Sequence, residues 1–108
     1  MKRIVTLAAA ATVAALAANA HGADAGAAEA LAKQSGCLAC HTVDKKLVGP
    51  SYKEIADRYR NDKGAEANLF KKVKEGGKGA WGDIPMTPNA HVKDDDIKTI
   101  VRWILSVK

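Results

Sequence analysis

Cysteine is nearly absent from this chain, with two residues, Cys37 and Cys40, in 108. Two thiols exclude a multi-bridge disulfide framework, and with no second ligand pair they supply only half of a structural zinc site. Aromatic side chains make up 5%, so core building falls to alanine, leucine, isoleucine and valine. Strand-type alternation is almost wholly missing, which leaves an all-α reading. The chain has four arginines and no arginine-rich stripe, and its formal charge of +5 is a mild excess. That balance argues against nucleic acid as a partner and suits docking to acidic protein surfaces. No apolar run reaches the length of a membrane-spanning helix, so stable membrane insertion is not expected.

The longest apolar run, Ile4 to Ala18, has a different meaning. Lys2-Arg3 precedes it as a charged n-region, and Ala18-Asn19-Ala20 places small residues where a signal peptidase reads them. Residues 1–20 are therefore expected to be a cleaved signal peptide, with export to the periplasm; an uncleaved anchor is the competing reading. Residues 21–108 remain as one domain of 88 residues. A domain that small is marginal if side chains alone must fill its core.

What the chain does have is Cys37-Leu38-Ala39-Cys40-His41. Two thiols separated by two residues, followed directly by an imidazole, is the pattern that attaches a c-type haem covalently. Each thiol adds across one vinyl group, so the sulfurs must sit about a helical turn apart. The next side chain then lies under the ring centre, where a neutral imidazole nitrogen can coordinate iron. A thioredoxin-type dithiol would need a βαβ setting, a zinc site would need further ligands beyond His21 and His91, and a plain disulfide leaves His41 unexplained. A haem would also supply the buried apolar volume that this domain lacks.

Residues 24–35 read as a first helix, with Ala25, Ala28, Leu31 and Ala32 at helical spacing and Gly36 at its end. The stretch from Thr42 to Gly49-Pro50 reads as a loop. Ser51 and Glu54 form a capping box for a second helix, whose apolar face is Tyr52, Ile55, Ala56 and Tyr59. A third helix is expected over residues 65–75, with Leu69, Phe70 and Val73 inward and Gly76-Gly77 as its stop. Residues 76–93 form a long loop with Gly79, Gly82, Pro85 and Pro88, and loops of that length usually carry function. The last helix begins near Asp94, buries Ile97, Ile100, Val101 and Ile104, and carries Trp103 on the border of that stripe.

Met86 lies in this loop, 45 residues beyond His41. A methionine taken alone is more often a core filler. Here it stands in a polar loop flanked by Pro85 and Pro88, which makes it the candidate for the second axial position. His/Met ligation fills both axial sites and raises the reduction potential relative to two nitrogen ligands. Such a centre passes single electrons and is no enzyme. An open axial site would instead suit a haem sensor or a peroxidase-like protein.

The order Cys37-x-x-Cys40-His41, Gly49-Pro50, Trp81-Gly82, Ile84-Pro85-Met86 and Asn89 resembles the small bacterial cytochromes c of the c-551/c-552 group, over nearly the whole of residues 25–108. The resemblance implies a four-helix class I cytochrome c fold enclosing one haem c, bound through Cys37 and Cys40 and ligated by His41 and Met86. It also implies a monomeric carrier of single electrons in periplasmic respiration. Its donor would be a quinol-oxidising complex or another cytochrome, and its acceptor a nitrite reductase, peroxidase or terminal oxidase.

For matched positions, the Pro50 carbonyl is implied to accept from His41 Nδ1, or Pro50 is a plain loop proline. Trp81 is implied to reach a haem propionate, or to be only a core aromatic. Asn89 is implied to bond near the Met86 sulfur, or to stabilise a turn. Lys72 would lie near a propionate or on a solvated face, and Trp103 would pack the last helix on the first. Thr87 departs from the family's proline, and Lys93 stands where a serine cap is common, leaving Asp94 to take over. His91 is expected to be an ordinary exposed histidine. Lys33, Lys45, Lys46, Lys74 and Lys78 are candidates for steering acidic partners.

Overall fold

The computed structural model describes residues 20–108, with side chains from residue 25 onward. Four α-helices follow one another: α1 (Ala20–Gln34), α2 (Tyr52–Tyr59), α3 (Ala65–Glu75) and α4 (Asp94–Ser106). A single 3-10 turn, Cys37–Ala39, stands between α1 and α2. Among the described residues there is no sheet, only two isolated bridges, His41 with Lys46 and Gly77 with Met86. The all-α expectation holds.

The last helix is the hub, packing against each of the other three. Ile97, Ile100 and Val101 are fully buried along one stripe, with Ile104 at its end. Burying each such side chain stabilises the fold by about 1.5–3 kcal/mol. Ala28 and Ala32 of α1 are also fully buried. Their small side chains let the α1 backbone approach α4 closely, as the alanine spacing predicts. Val92, just ahead of α4, joins Ile97 and Val101 in a second cluster with Leu69, Phe70 and Val73 around it.

Local chemistry sets the helix ends. Ser51 Oγ accepts from the Glu54 N–H at 3.1 Å, and Glu54 Oε2 accepts from the Ser51 N–H at 3.0 Å, completing the capping box. The N–H groups of Tyr52 and Lys53 donate to the carbonyls of Thr42 and Val43, both at 2.9 Å. The first donors of α2, which no helical carbonyl can serve, are thus tied to the segment that follows the cysteine motif.

Three expectations are adjusted. The first helix begins at Ala20 and not at residue 24. No proline interrupts residues 20–25, and the alanines at 20, 23 and 25 favour continuing the helix. The proposed cleavage point falls at the start of that helix, and the leader itself lies outside the described residues. Asp94 does not cap α4, because its carboxylate pairs with Lys74 Nζ at 2.8 Å, and the N-cap residue Lys93 makes no side-chain cap bond. The hydrogen bond from Lys74 holds the Asp94 carboxyl below the usual carboxylate range. Trp103 meets Tyr52 of α2 edge-on, with ring centroids 5.3 Å apart, and through that contact joins the cluster that includes Ala32 of α1.

Candidate cofactor site

The cysteine motif folds into the tight 3-10 turn after α1. The Cys37 carbonyl accepts from both the Cys40 N–H at 3.2 Å and the His41 N–H at 3.0 Å. This brings both cysteines and the imidazole around one turn of backbone. Both thiols are free. Burial pushes the Cys37 thiol above its ordinary pKa, so it stays protonated at neutral pH.

His41 is held on several sides. Its Nδ1 donates to the Pro50 carbonyl at 2.7 Å, which assigns the proton to Nδ1 and leaves Nε2 as a free lone pair. Gly49 lies against the same ring, and a Cβ there would come within 2.6 Å of Cε1. Only glycine lets the chain pass that close. The Tyr52 ring stacks on the imidazole with centroids 5.4 Å apart and 21° between planes.

The long loop is anchored to α3 by its backbone. Met86 and Gly77 exchange both N–H···O bonds, at 2.7 and 3.0 Å, and the Asn89 N–H donates to the Val73 carbonyl at 3.0 Å. Gly76, at φ 72°, sits directly beneath this crossing: a Cβ would lie 2.4 Å from the Met86 carbonyl oxygen. The two hydrogens of the Asn89 amide go to the carbonyls of Val73 and Thr87, both at 3.2 Å. An amide has two donors, and both reach backbone carbonyls here, the turn-stabilising geometry that is one of the two roles expected of Asn89.

Trp81 is 41% exposed and lies under the Arg58 guanidinium, which sits 4.4 Å from its ring centroid. Arg58 also donates to the Ala80 carbonyl at 2.7 Å, and Tyr59 meets Trp81 edge-on. The second helix therefore clamps the far end of the loop. Nothing local to residue 58 announces a contact with residues 80 and 81.

These elements enclose one cleft of about 210 Å³. Cys37, Cys40, His41, Pro50, Trp81, Met86 and Asn89 all line it, together with Ile100, Val101 and Ile104 from the hub helix. Lys72 and Lys78 line it too, whereas Lys74 is engaged by Asp94 and by the Val92 carbonyl. Three of the large apolar side chains left in solvent, Val48, Trp81 and Ile84, also belong to its walls. His91 is exposed and stands apart from them.

The donor set fits a c-type haem: two thiols, one imidazole nitrogen with its partner nitrogen already fixed, one thioether and apolar walls. A cytochrome c family model matches residues 23–108. The chain is 50% identical over 80 residues to cytochrome c-551 of Pseudomonas aeruginosa, covering 74% of this chain and 76% of that protein.

The chain belongs to the cytochrome c family.

Among solved structures, the Nitrosomonas europaea cytochrome c552 superposes with a TM-score of 0.72 at 46% identity, covering 74% of this chain and 99% of that one. The class 1 cytochrome MtoD from Sideroxydans lithotrophicus ES-1 gives 0.68 at 40% identity, covering 78% and 96%. With these relatives and its four helices, the chain is a class I c-type cytochrome whose cofactor is one covalent haem c. It is a small monohaem electron carrier, not an enzyme, and it works with redox partners. No helix among the described residues is long and apolar enough to cross a membrane.

Proposed function

We propose that this cytochrome c is an exported, monomeric carrier that moves single electrons through the periplasm between a respiratory donor and a terminal acceptor. The observation that carries this reading is the convergence of Cys37, Cys40, His41 and Met86 on one apolar cleft. Cys37 and Cys40 would hold the haem through thioethers, and His41 Nε2 and Met86 would take the two axial positions. When bound, the haem supplies a one-electron couple at an iron with both axial sites filled.

The surrounding residues hold that arrangement still. Pro50 and Gly49 fix the tautomer and plane of His41. The backbone pairing of Met86 with Gly77, and of Asn89 with Val73, holds the methionine at the cleft with little freedom to swing away. The hub-helix isoleucines and valine exclude water from the inner wall. Val48, Trp81 and Ile84 leave an apolar rim where a partner can approach, and Lys46, Lys72 and Lys78 add positive charge beside the cleft or the groove next to it. Lys33 and Lys45 are exposed as well.

The leader, its removal after Ala20 and the periplasmic address rest on the sequence of residues 1–20. A quinol-oxidising complex or another cytochrome as donor, and a nitrite reductase, peroxidase or terminal oxidase as acceptor, are the partners that the family resemblance favours.

Visible spectra of the exported protein test the site, oxidised and reduced, before and after acid–acetone extraction. Haem that resists extraction, is low-spin and shows the far-red iron–thioether band when oxidised is the expected result, with that band lost in Met86→Ala. High-spin haem that binds carbon monoxide readily when reduced would instead point to a sensor or peroxidase-like protein.

A further inference from the structure

Tyr52 heads the largest fully buried side chains of the described residues, and it lines the cofactor cleft. Its hydroxyl is also the buried side-chain polar atom left without a hydrogen-bond partner among them. An unpaired buried hydroxyl is destabilising, and phenylalanine would fill the same space without that penalty. The oxygen therefore needs a reason to be there.

The direction of the ring narrows the choice. His41 stacks against one side at 5.4 Å, and Trp103 meets the ring edge-on at 5.3 Å. Held between them, the ring cannot turn its hydroxyl toward solvent. Cys37 packs against the same cluster and lines the same cleft, which makes its sulfur the one that the attachment chemistry brings to this ring. A free thiol carries its own weak donor hydrogen. A thioether carries none, so beside a thioether the tyrosine O–H is left as the donor and the sulfur as the acceptor.

We propose that Tyr52 is a positioning residue of the haem site, its hydroxyl donating to the Cys37 sulfur once that sulfur is a thioether while its ring backs His41. The inference rests on the covalent-haem reading. It assigns a second task to a residue whose place in the sequence marks it only as the first turn of an apolar helix face. A donor hydrogen aimed at this sulfur places the positive end of a dipole beside the cofactor, which favours the electron-richer state.

Tyr52→Phe in the haem-loaded protein keeps the ring and removes only the oxygen. The variant is expected to show a lower midpoint potential and a lower urea midpoint. It should also lose one slowly exchanging hydroxyl proton resonance that, in the wild type, shows a nuclear Overhauser contact to the Cys37 β-protons. An unchanged potential together with equal or greater stability would mean that the hydroxyl is merely unpaired, and would overturn the inference. The wild-type spectrum, taken on the same preparations, separates the two levels. Extractable haem there would remove the haem reading itself, whereas an intact wild-type spectrum beside an unchanged variant removes only the role of Tyr52.

Discussion

The two sides of this molecule are built on different terms. On the side where α4 packs with α1 and α3, protein meets protein: Ala28, Ala32 and Ile97 are all at most 1% exposed. On the side of the loops at 41–50 and 76–93, backbone hydrogen bonds fix the chain while large apolar residues stand open. Ile84 there is 66% exposed and Leu47 53%. A polypeptide of this size does not spend its apolar residues that way on its own account. The first side is a core completed by side chains, and the second is a mould completed by the cofactor. Order in the mould comes from polar backbone contacts and glycines, and its stabilising apolar burial comes from what fills it.

The comparison is broken most severely by withholding haem. The haem-free chain is expected to lose most of its native helix, because α2 and the long loop have too little side-chain core of their own; native far-UV circular dichroism without haem would show the mould to be self-sufficient. Next in size is damage to the packed side. Ile97→Ala, in the loaded protein, should cost about 2–5 kcal/mol in urea unfolding while leaving the far-red band in place. A band lost along with that stability would mean the two sides are not separable.

A smaller change should act in the opposite sense. Gly76→Ala sets a methyl group against the Met86 carbonyl at positive φ, which should cost about 1–3 kcal/mol. Its spectroscopic effect should exceed its thermodynamic one, with the far-red band weakened or lost and carbon monoxide binding faster. An unaltered band would show that the loop can rise off α3 without moving the methionine.

The smallest expected effect is electrostatic. The hydrogen bond from Lys74 lowers the folded-state pKa of Asp94 below its unfolded value. A depressed carboxyl contributes stability that is present above about pH 4 and is lost as pH falls through the folded-state value. Asp94→Asn should therefore be slightly less stable than wild type at neutral pH, with the two unfolding curves converging in strong acid. Equal stability at pH 7 would reduce this exposed pair to a surface contact of no consequence.

Much of the plan was legible in the order of residues. Cys37, Cys40 and His41 are neighbours in the chain, so one turn of backbone suffices to bring them together. The Ser51–Glu54 box and the 3.6-residue stripe of α4 are likewise short-range patterns, which explains why α2 and α4 begin where the pattern predicts. Asp94 went otherwise. Its residue type permits a local cap, but its carboxylate was taken by a group distant in sequence, Lys74.

The sequence by itself determined the helices, the haem-attachment turn and the loop that carries Met86, because each is written in contacts a few residues apart. Only the tertiary structure decided that Arg58 clamps Trp81, that Gly76 lies under Met86, and that Tyr52 is held between His41 and Trp103 with its hydroxyl unpaired. These are contacts across 10 to 51 residues of chain. They depend on how α2 and the loops settle on α4, and no local preference encodes that choice.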